Sequence, residues 1–83
     1  MIVNKVKRVE ALTAGRVFIE MNDGRHGEFD VTPYMGSEFF AALKDDDYFR
    51  QVTLFFSGIG WPGGQDIGPD TIEAELINEK YCA

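Results

Sequence analysis

A tight turn between two alternating segments constrains this fold more than any other feature of the sequence. Asn22-Asp23-Gly24 separates the segments Arg16–Met21 and Arg25–Val31, and such residues tolerate the left-handed conformations that tight hairpins require. The residues that share one face are Val17, Ile19 and Met21 before the turn, and Gly27, Phe29 and Val31 after it. The pattern predicts an antiparallel hairpin that buries one of its faces.

The remaining periodicity predicts a small α+β fold with about five strands and two short helices. The order is β-β-β-α-β-β-α, in an antiparallel or mixed sheet. The predicted strands are Val3–Leu12, Arg16–Met21, Arg25–Val31, Gln51–Phe56 and Ile59–Trp61, and the helices follow Ser37 and Pro69, the second with the stripe Ile72, Leu76 and Ile77. A chain of 83 residues predicts one domain, 1–83, with a frayed tail over residues 78–83.

A short pattern occurs twice, as Asp30-Val31-Thr32-Pro33 and as Asp66-Ile67-Gly68-Pro69. In each copy the aliphatic residue would anchor a strand end, and the proline would pre-set the first turn of a helix. We expect each aspartate to accept hydrogen bonds from backbone amides that are freed where the strand stops.

Net charge narrows the choice of partner. Eight basic and 14 acidic side chains give −6, which argues against direct binding of nucleic acid. The charge is uneven, since residues 1–16 sum to +3 and residues 17–83 to −9. The basic segment is typical of a strand with a solvated face; the alternative is a basic ridge that orients a partner electrostatically.

The sequence favours a cytoplasmic protein without a membrane contact. No apolar run approaches the roughly 18–20 residues of a membrane span, and no signal peptide opens the chain. The single cysteine, Cys82, excludes an internal disulfide and favours a reducing compartment.

No residue pattern indicates a catalytic, cofactor or metal site. His26 is the only histidine and Cys82 is the penultimate residue, so neither has a recognisable partner for nucleophilic or zinc chemistry. Asp45-Asp46-Asp47 lacks the EF-hand spacing, and Gly58–Gly64 lacks the lysine of a phosphate-binding loop. We therefore expect a protein that is not an enzyme and uses no cofactor or metal.

Four residues are candidates for binding a protein partner: Trp61, Phe18, Asp66 and Asp70. Trp61, beside a glycine-rich loop, fits either a core position or an interface anchor, since tryptophan dominates binding hot spots. Phe18 points away from the predicted core face of its strand, so it needs a covering helix or a partner. The two aspartates belong to the acidic part of the chain, which suits a basic partner.

Several stretches resemble the motifs of a family of short bacterial proteins, the domain-of-unknown-function family numbered 2442. The most specific is Trp61-Pro62-x-Gly64-x-Asp66-Ile67-x-Pro69-Asp70. Other matching stretches are Met21-Asn22-Asp23-Gly24, Asp30-Val31-Thr32-Pro33 and Leu43–Val52, so the resemblance covers roughly residues 3–77. Met21 stands where the family usually has phenylalanine, and Gly68 where it often has a capping serine.

The resemblance implies a small, typically cytoplasmic α+β domain and no particular reaction. Members of that family are often encoded beside a second small protein and are suspected to be antitoxin-like partners. Some are fused to a DNA-binding helix-turn-helix segment, for which this chain of 83 residues leaves no room.

Two functions remain open on the sequence. The first is a protein-binding module, an antitoxin-like partner of a small basic protein such as the product of a neighbouring gene. The alternative is a small-ligand sensor with a pocket lined by Trp61, Tyr34 and Phe39. Homodimerisation stays open as well, because Gln51–Phe56 carries apolar residues on both faces and could pair across an interface.

Overall fold

The computed structural model describes residues 4–81, with side chains as far as residue 77. Strands β1 (Val6–Ala11), β2 (Arg16–Met21), β3 (Arg25–Asp30), β4 (Thr53–Phe55), β5 (Gly58–Gly60), β6 (Asp66–Ile67) and β7 (Ile77–Tyr81) form two antiparallel sheets, in the orders β1-β2-β3-β7 and β4-β5-β6. Helices α1 (Asp46–Phe49) and α2 (Pro69–Ala74) complete an α+β fold. The predicted fold class is confirmed.

The predicted hairpin is confirmed in detail. β2 pairs with β3 in a register that sets Val17 opposite Phe29. Val17, Ile19 and Phe29 are fully buried, so the alternation identified the core face correctly. Gly24 has φ +95°, and its amide donates to the carbonyl of Met21 at 3.1 Å.

The described residues form seven strands rather than five. The additions are β6, a two-residue strand that pairs with the neighbouring β5, and β7, whose partner is far away in the chain. β7 pairs with β3, where Glu28 lies opposite Ile77. The last helix therefore ends at Ala74, and the predicted stripe through Ile77 is wrong, because Ile77 belongs to a strand.

The first predicted helix is a 3-10 segment, Phe40–Lys44, followed by the separate helix α1. Ser37 still caps this segment, since its hydroxyl oxygen accepts from the Phe40 amide at 3.2 Å. Asp45 is extended, and its carboxylate accepts from the Asp47 amide at 3.0 Å. The aspartate run therefore ends one helical segment and caps the next.

The repeated pattern behaves differently in its two copies. Asp30 accepts from the backbone amide of Thr32 at 3.0 Å and from its hydroxyl at 2.7 Å, as predicted, and these bonds hold the pKa of Asp30 below its usual value. Asp66 makes no such bond within the described residues, and Gly68, which stands in the place of Thr32, has no hydroxyl and begins α2 as an extended cap. Its carboxylate is left exposed.

Both sheets contribute to one core. The two meet where the Val6 amide donates to the carbonyl of Ser57 at 2.8 Å, so that the start of β1 lies against the β4–β5 turn. The buried apolar side chains are Val6, Val17, Ile19, Met21, Phe29, Val31, Met35, Leu43, Phe49, Ile59, Trp61, Ile67 and Ile72. No helix within residues 4–81 is long and apolar enough to cross a membrane.

Candidate functional site

The turn between β4 and β5 presents the most exposed aromatic side chain among the described residues. Phe55 pairs with Gly58, and Phe56 and Ser57 form the turn between them. Phe56 is 93% exposed. Its φ is +52°, a left-handed conformation that costs a non-glycine residue roughly 1–2 kcal/mol. The chain therefore holds a large apolar ring in water at a position that favours glycine or asparagine.

Two residues before the turn are also partly exposed. Leu54 is 45% exposed and Phe55 is 43% exposed. The rings of Phe55 and Phe56 meet edge to face, with their centroids 4.6 Å apart. We call Leu54, Phe55 and Phe56 the hairpin tip. An exposed pair of aromatic rings such as Phe55 and Phe56 on a small domain is typical of an interaction site.

Two glycines allow the backbone to pack behind the hairpin tip. A Cβ on Gly58 would lie 2.1 Å from the carbonyl oxygen of Ile67. A Cβ on Gly60 would lie 2.9 Å from the Cβ of Phe55. Phe55 thus leans over the face of β5 that carries only Gly58 and Gly60, and β6 approaches β5 closely.

Sequence reasoning missed the hairpin tip. It extended the fourth strand to Phe56 and placed the turn at Ser57-Gly58. The structure ends β4 at Phe55 and turns at Phe56-Ser57. The available signal was the glycine spacing, since Gly58 and Gly60 belong to one face of β5 and leave the turn to the two residues before them.

Asp66 lies on the same face of the three-stranded sheet as Phe55. Gly60 pairs with Thr53 on one side and with Asp66 on the other, and directly paired residues point to the same face. Asp66 is exposed and forms no ion pair or hydrogen bond through its side chain within the described residues. The structure therefore places this candidate on the sheet face that carries Phe55.

The other acidic candidate, Asp70, is not linked to the hairpin tip by any described contact. It is exposed in the first turn of α2, where a carboxylate favours the helix dipole.

Trp61 is a core residue. It is 5% exposed, its indole Nε1 donates to the Phe49 carbonyl at 2.9 Å, and the two rings lie 5.9 Å apart. A partner cannot reach a ring that is covered in this way. Of the two interpretations of Trp61, the structure shows the core position and not the interface anchor.

The glycine-rich loop after Trp61 is held by a polar network. The Tyr48 hydroxyl donates to Gln65 Oε1 at 2.7 Å and accepts from the Gly63 amide at 2.6 Å. Gln65 Nε2 donates to the carbonyl of Phe39 at 3.0 Å. The most specific motif of the sequence thus forms the β5–β6 loop, which these hydrogen bonds fix to α1 and to Phe39.

Phe18 lies on the uncovered face of the four-stranded sheet and is half-buried. The guanidinium of Arg8 sits 5.0 Å from its ring centroid, and the ring of His26 lies 6.1 Å away. Neighbouring side chains on its own sheet therefore cover part of this ring. The sequence pattern predicts a covering helix or a partner instead.

Ion pairs cancel most of the predicted basic ridge. Glu20 pairs with both Lys7 and Arg8, at 3.7 and 3.5 Å, and Arg16 pairs with Glu28 at 3.3 Å. The acidic side chains without an ion pair in the described part of the chain are Asp30, Glu38, Asp45, Asp47, Asp66, Asp70 and Glu75, and the basic ones are Lys5 and Lys44. The surplus negative charge therefore lies mainly outside the four-stranded sheet.

A nearly buried arginine joins the β2–β3 turn to α2. Arg25 bonds Asp23 at 2.9 Å and also bonds Glu73, which in turn accepts from Asn4 at 3.0 Å. Hydrogen bonds from Arg25 hold the pKa of both carboxyls below their usual values. Glu73 thereby ties α2 to the start of β3.

The three residues proposed for a ligand pocket have different surroundings in the part of the chain that the structure describes. Trp61 is buried, Phe39 is largely exposed, and the Tyr34 hydroxyl is engaged by the Glu75 carboxylate at 2.9 Å. Two open surface cavities, of about 490 and 310 Å³, lie elsewhere, and none of the three residues lines either one.

The aspartates considered for metal binding, Asp45 to Asp47, take part in local structure instead. Within residues 4–81 no group of three or more histidine, cysteine or acidic side chains is placed to hold a metal ion. Asp46 pairs with Arg50 at 2.8 Å, and Asp45 caps α1. Cys82 lies outside the described residues.

Comparison with known proteins identifies a family but no characterised relative. The model of one family, described as Protein of unknown function (DUF2442), matches residues 6–78. Neither the curated proteins nor the solved structures contain a match.

Proposed function

This chain belongs to the DUF2442 family of proteins of unknown function, and we propose that it is a protein-binding module without catalytic activity. Its partner is a small basic protein, which it binds through the hairpin tip. We place this interaction in the cytoplasm, and it involves neither nucleic acid nor a membrane.

The exposure and conformation of Phe56 are the observation that carries the proposal. A phenylalanine that is 93% exposed at φ +52° lowers both solubility and the free energy of unfolding. Burying such a side chain in an interface returns about 1.5–3 kcal/mol. Strained residues of this kind concentrate at functional sites. A partner that covers Phe56 explains why the position is not glycine or asparagine.

Charge favours a basic partner. Asp66 lies on the same sheet face as Phe55 and has no ionic partner among the described residues. The arginines of the described residues all pair with carboxylates of the chain itself, so the surplus charge that remains is negative. A lysine or arginine beside an apolar contact would complement this surface and speed the encounter.

The test uses three baits in the same lysate: the wild-type chain, Phe56→Asn and Phe39→Asn. Asparagine tolerates φ > 0, and Phe39, at 56% exposed, is a matched exposed aromatic outside the hairpin tip. We expect the wild type and Phe39→Asn to retain the same small basic protein, and Phe56→Asn to lose it. The captured protein is then identified and its dissociation constant measured with purified components.

Purified components also test the charge. Asp66→Asn is expected to weaken the complex about tenfold at low salt, and the difference should shrink at high salt. A partner held equally by Phe56→Asn, or no partner dependent on Phe56 at all, would contradict the proposal. Self-association that requires Phe56 would assign the hairpin tip to a second copy of the chain instead.

An antitoxin-like role is the narrower form of the proposal. It requires the captured protein to inhibit the growth of the cells that produce it when it is produced without this chain. Co-production of the wild-type chain should restore growth, and co-production of Phe56→Asn should not. A captured protein with no effect on growth would remove the antitoxin-like role and leave the binding module.

A further inference from the structure

The larger surface cavity lies at the end of the four-stranded sheet, beside the β1–β2 turn. It measures about 490 Å³, and its lining includes Leu12, Arg16, Glu28 and Arg50. The smaller cavity of about 310 Å³ shares Ala14 with it and adds Lys44 and Asp46. Two guanidinium groups and one carboxylate therefore line the larger cavity, which we call the cleft, although the whole chain carries −6.

The rim of the cleft is held in an unusual conformation. Ala14 has φ +59°, and Gly15 follows at +75°. The amide of Val31 donates to the Gly15 carbonyl at 2.9 Å, and a Cβ on Gly15 would lie 2.5 Å from Thr32 Cγ2. The rim is thus anchored to the end of β3, and a fixed rim lowers the entropic cost of binding a ligand.

The two arginines keep unused hydrogen-bond donors. Arg16 donates only from Nη1, to Glu28 at 3.3 Å, and Arg50 only from Nε, to Asp46 at 2.8 Å. Within the described residues, Nε and Nη2 of Arg16 and both terminal nitrogens of Arg50 are therefore available. Guanidinium groups bind carboxylates through pairs of such donors.

We propose that this cleft binds a small organic carboxylate. Its head group takes the free donors of Arg16 and Arg50, and its apolar body lies against Ala11 and Leu12. Glu28 also lines the cavity and offsets one of the two guanidinium charges, so a head group with a single negative charge matches the net charge of the lining. The site is separate from the hairpin tip and does not depend on the proposed protein partner.

The test is an NMR titration of the ¹⁵N-labelled chain with phenylacetate, phenylacetamide, acetate and phenyl phosphate. Phenylacetate is expected to shift the amides of residues 11–16 and Arg50. Phenylacetamide, which lacks the charge, and acetate, which lacks the apolar body, should bind about tenfold more weakly. Arg50→Gln should lose binding by a similar factor.

Arg8→Gln is the matched control, because Arg8 is an exposed arginine that pairs with glutamates on the sheet face and does not line the cleft. It should bind phenylacetate as the wild type does. Equal binding of phenylacetamide, unchanged binding in Arg50→Gln, or no shift at millimolar phenylacetate would overturn the proposal. Tighter binding of phenyl phosphate would overturn the choice of a singly charged head.

Discussion

The indole Nε1 of Trp61 donates to the carbonyl of Phe49 at 2.9 Å, and this bond ties the end of α1 to the residue that follows β5. The only tryptophan of the chain therefore fills the core and satisfies a buried backbone acceptor at the same time. Its neighbours Gly63 and Gln65 both hydrogen-bond the Tyr48 hydroxyl. These bonds fix the loop that joins two strands of the three-stranded sheet, and another turn of that sheet carries Phe56.

Trp61→Phe should destabilise the fold by about 1–3 kcal/mol, because it leaves the Phe49 carbonyl without its donor and also removes buried volume. Urea unfolding measures the change. Binding of the captured partner should remain unaltered under conditions where the variant is folded. Weakened binding at unchanged stability would instead make Trp61 part of the interface.

Phe56→Gly should raise the free energy of unfolding by about 1 kcal/mol, because glycine adopts φ > 0 without the steric cost. The same variant should lose the partner. Phe39→Gly, at a position with ordinary φ, should not gain stability. If Phe56→Gly proved less stable than the wild type, the strain assigned to Phe56 would be wrong.

Gly58→Ala should destabilise the chain by about 3 kcal/mol or prevent folding, because the new Cβ would lie 2.1 Å from the Ile67 carbonyl oxygen. Gly36→Ala is the control, since a Cβ there would meet nothing within 4 Å. Thermal unfolding of the pair measures the contrast. Similar melting temperatures for the two variants would contradict the close approach of β6 to β5.

The free energy of unfolding should decrease at acidic pH, because the carboxylates of Asp23 and Glu73 become protonated. Both have a pKa below the ordinary values of 3.8 and 4.5 because Arg25 bonds them. At a pH above the ordinary pKa values, which apply to the unfolded chain, the two carboxyls contribute their full stabilisation. This contribution is lost as the pH falls below those values and through the lower pKa values of the folded state. Urea unfolding from neutral pH to the acid range should show the decline.

Arg25→Gln should flatten this acid dependence, since the carboxyls lose the donor that lowers their pKa. Arg50→Gln breaks the exposed pair with Asp46 and should leave the profile nearly unchanged, because exposed pairs contribute little. An acid profile of Arg25→Gln identical to that of the wild type would exclude the Arg25 network as its source.

The spatial arrangement of most candidate residues could not be predicted from the sequence. The charge of Asp66 suggests a basic partner, but its position on the same sheet face as Phe55 follows from the pairing of β5 with strands on both sides. Phe18 was selected for its face, and its half-buried state depends on Arg8 from the neighbouring strand. The run of β-forming residues predicts that the strand ends at Phe56, but in the structure the turn begins at this residue.

Local pattern alone determined the hairpin of β2 and β3, the capping contacts of Asp30 and Ser37, and the α+β class. Residues close in the chain meet at little entropic cost, so their chemistry is readable from spacing. Tertiary structure decided that Trp61 is buried, that Phe56 is exposed, and that residues 77–81 form a strand beside β3. These outcomes depend on contacts between distant segments, which compete for one small core and leave some apolar side chains outside it.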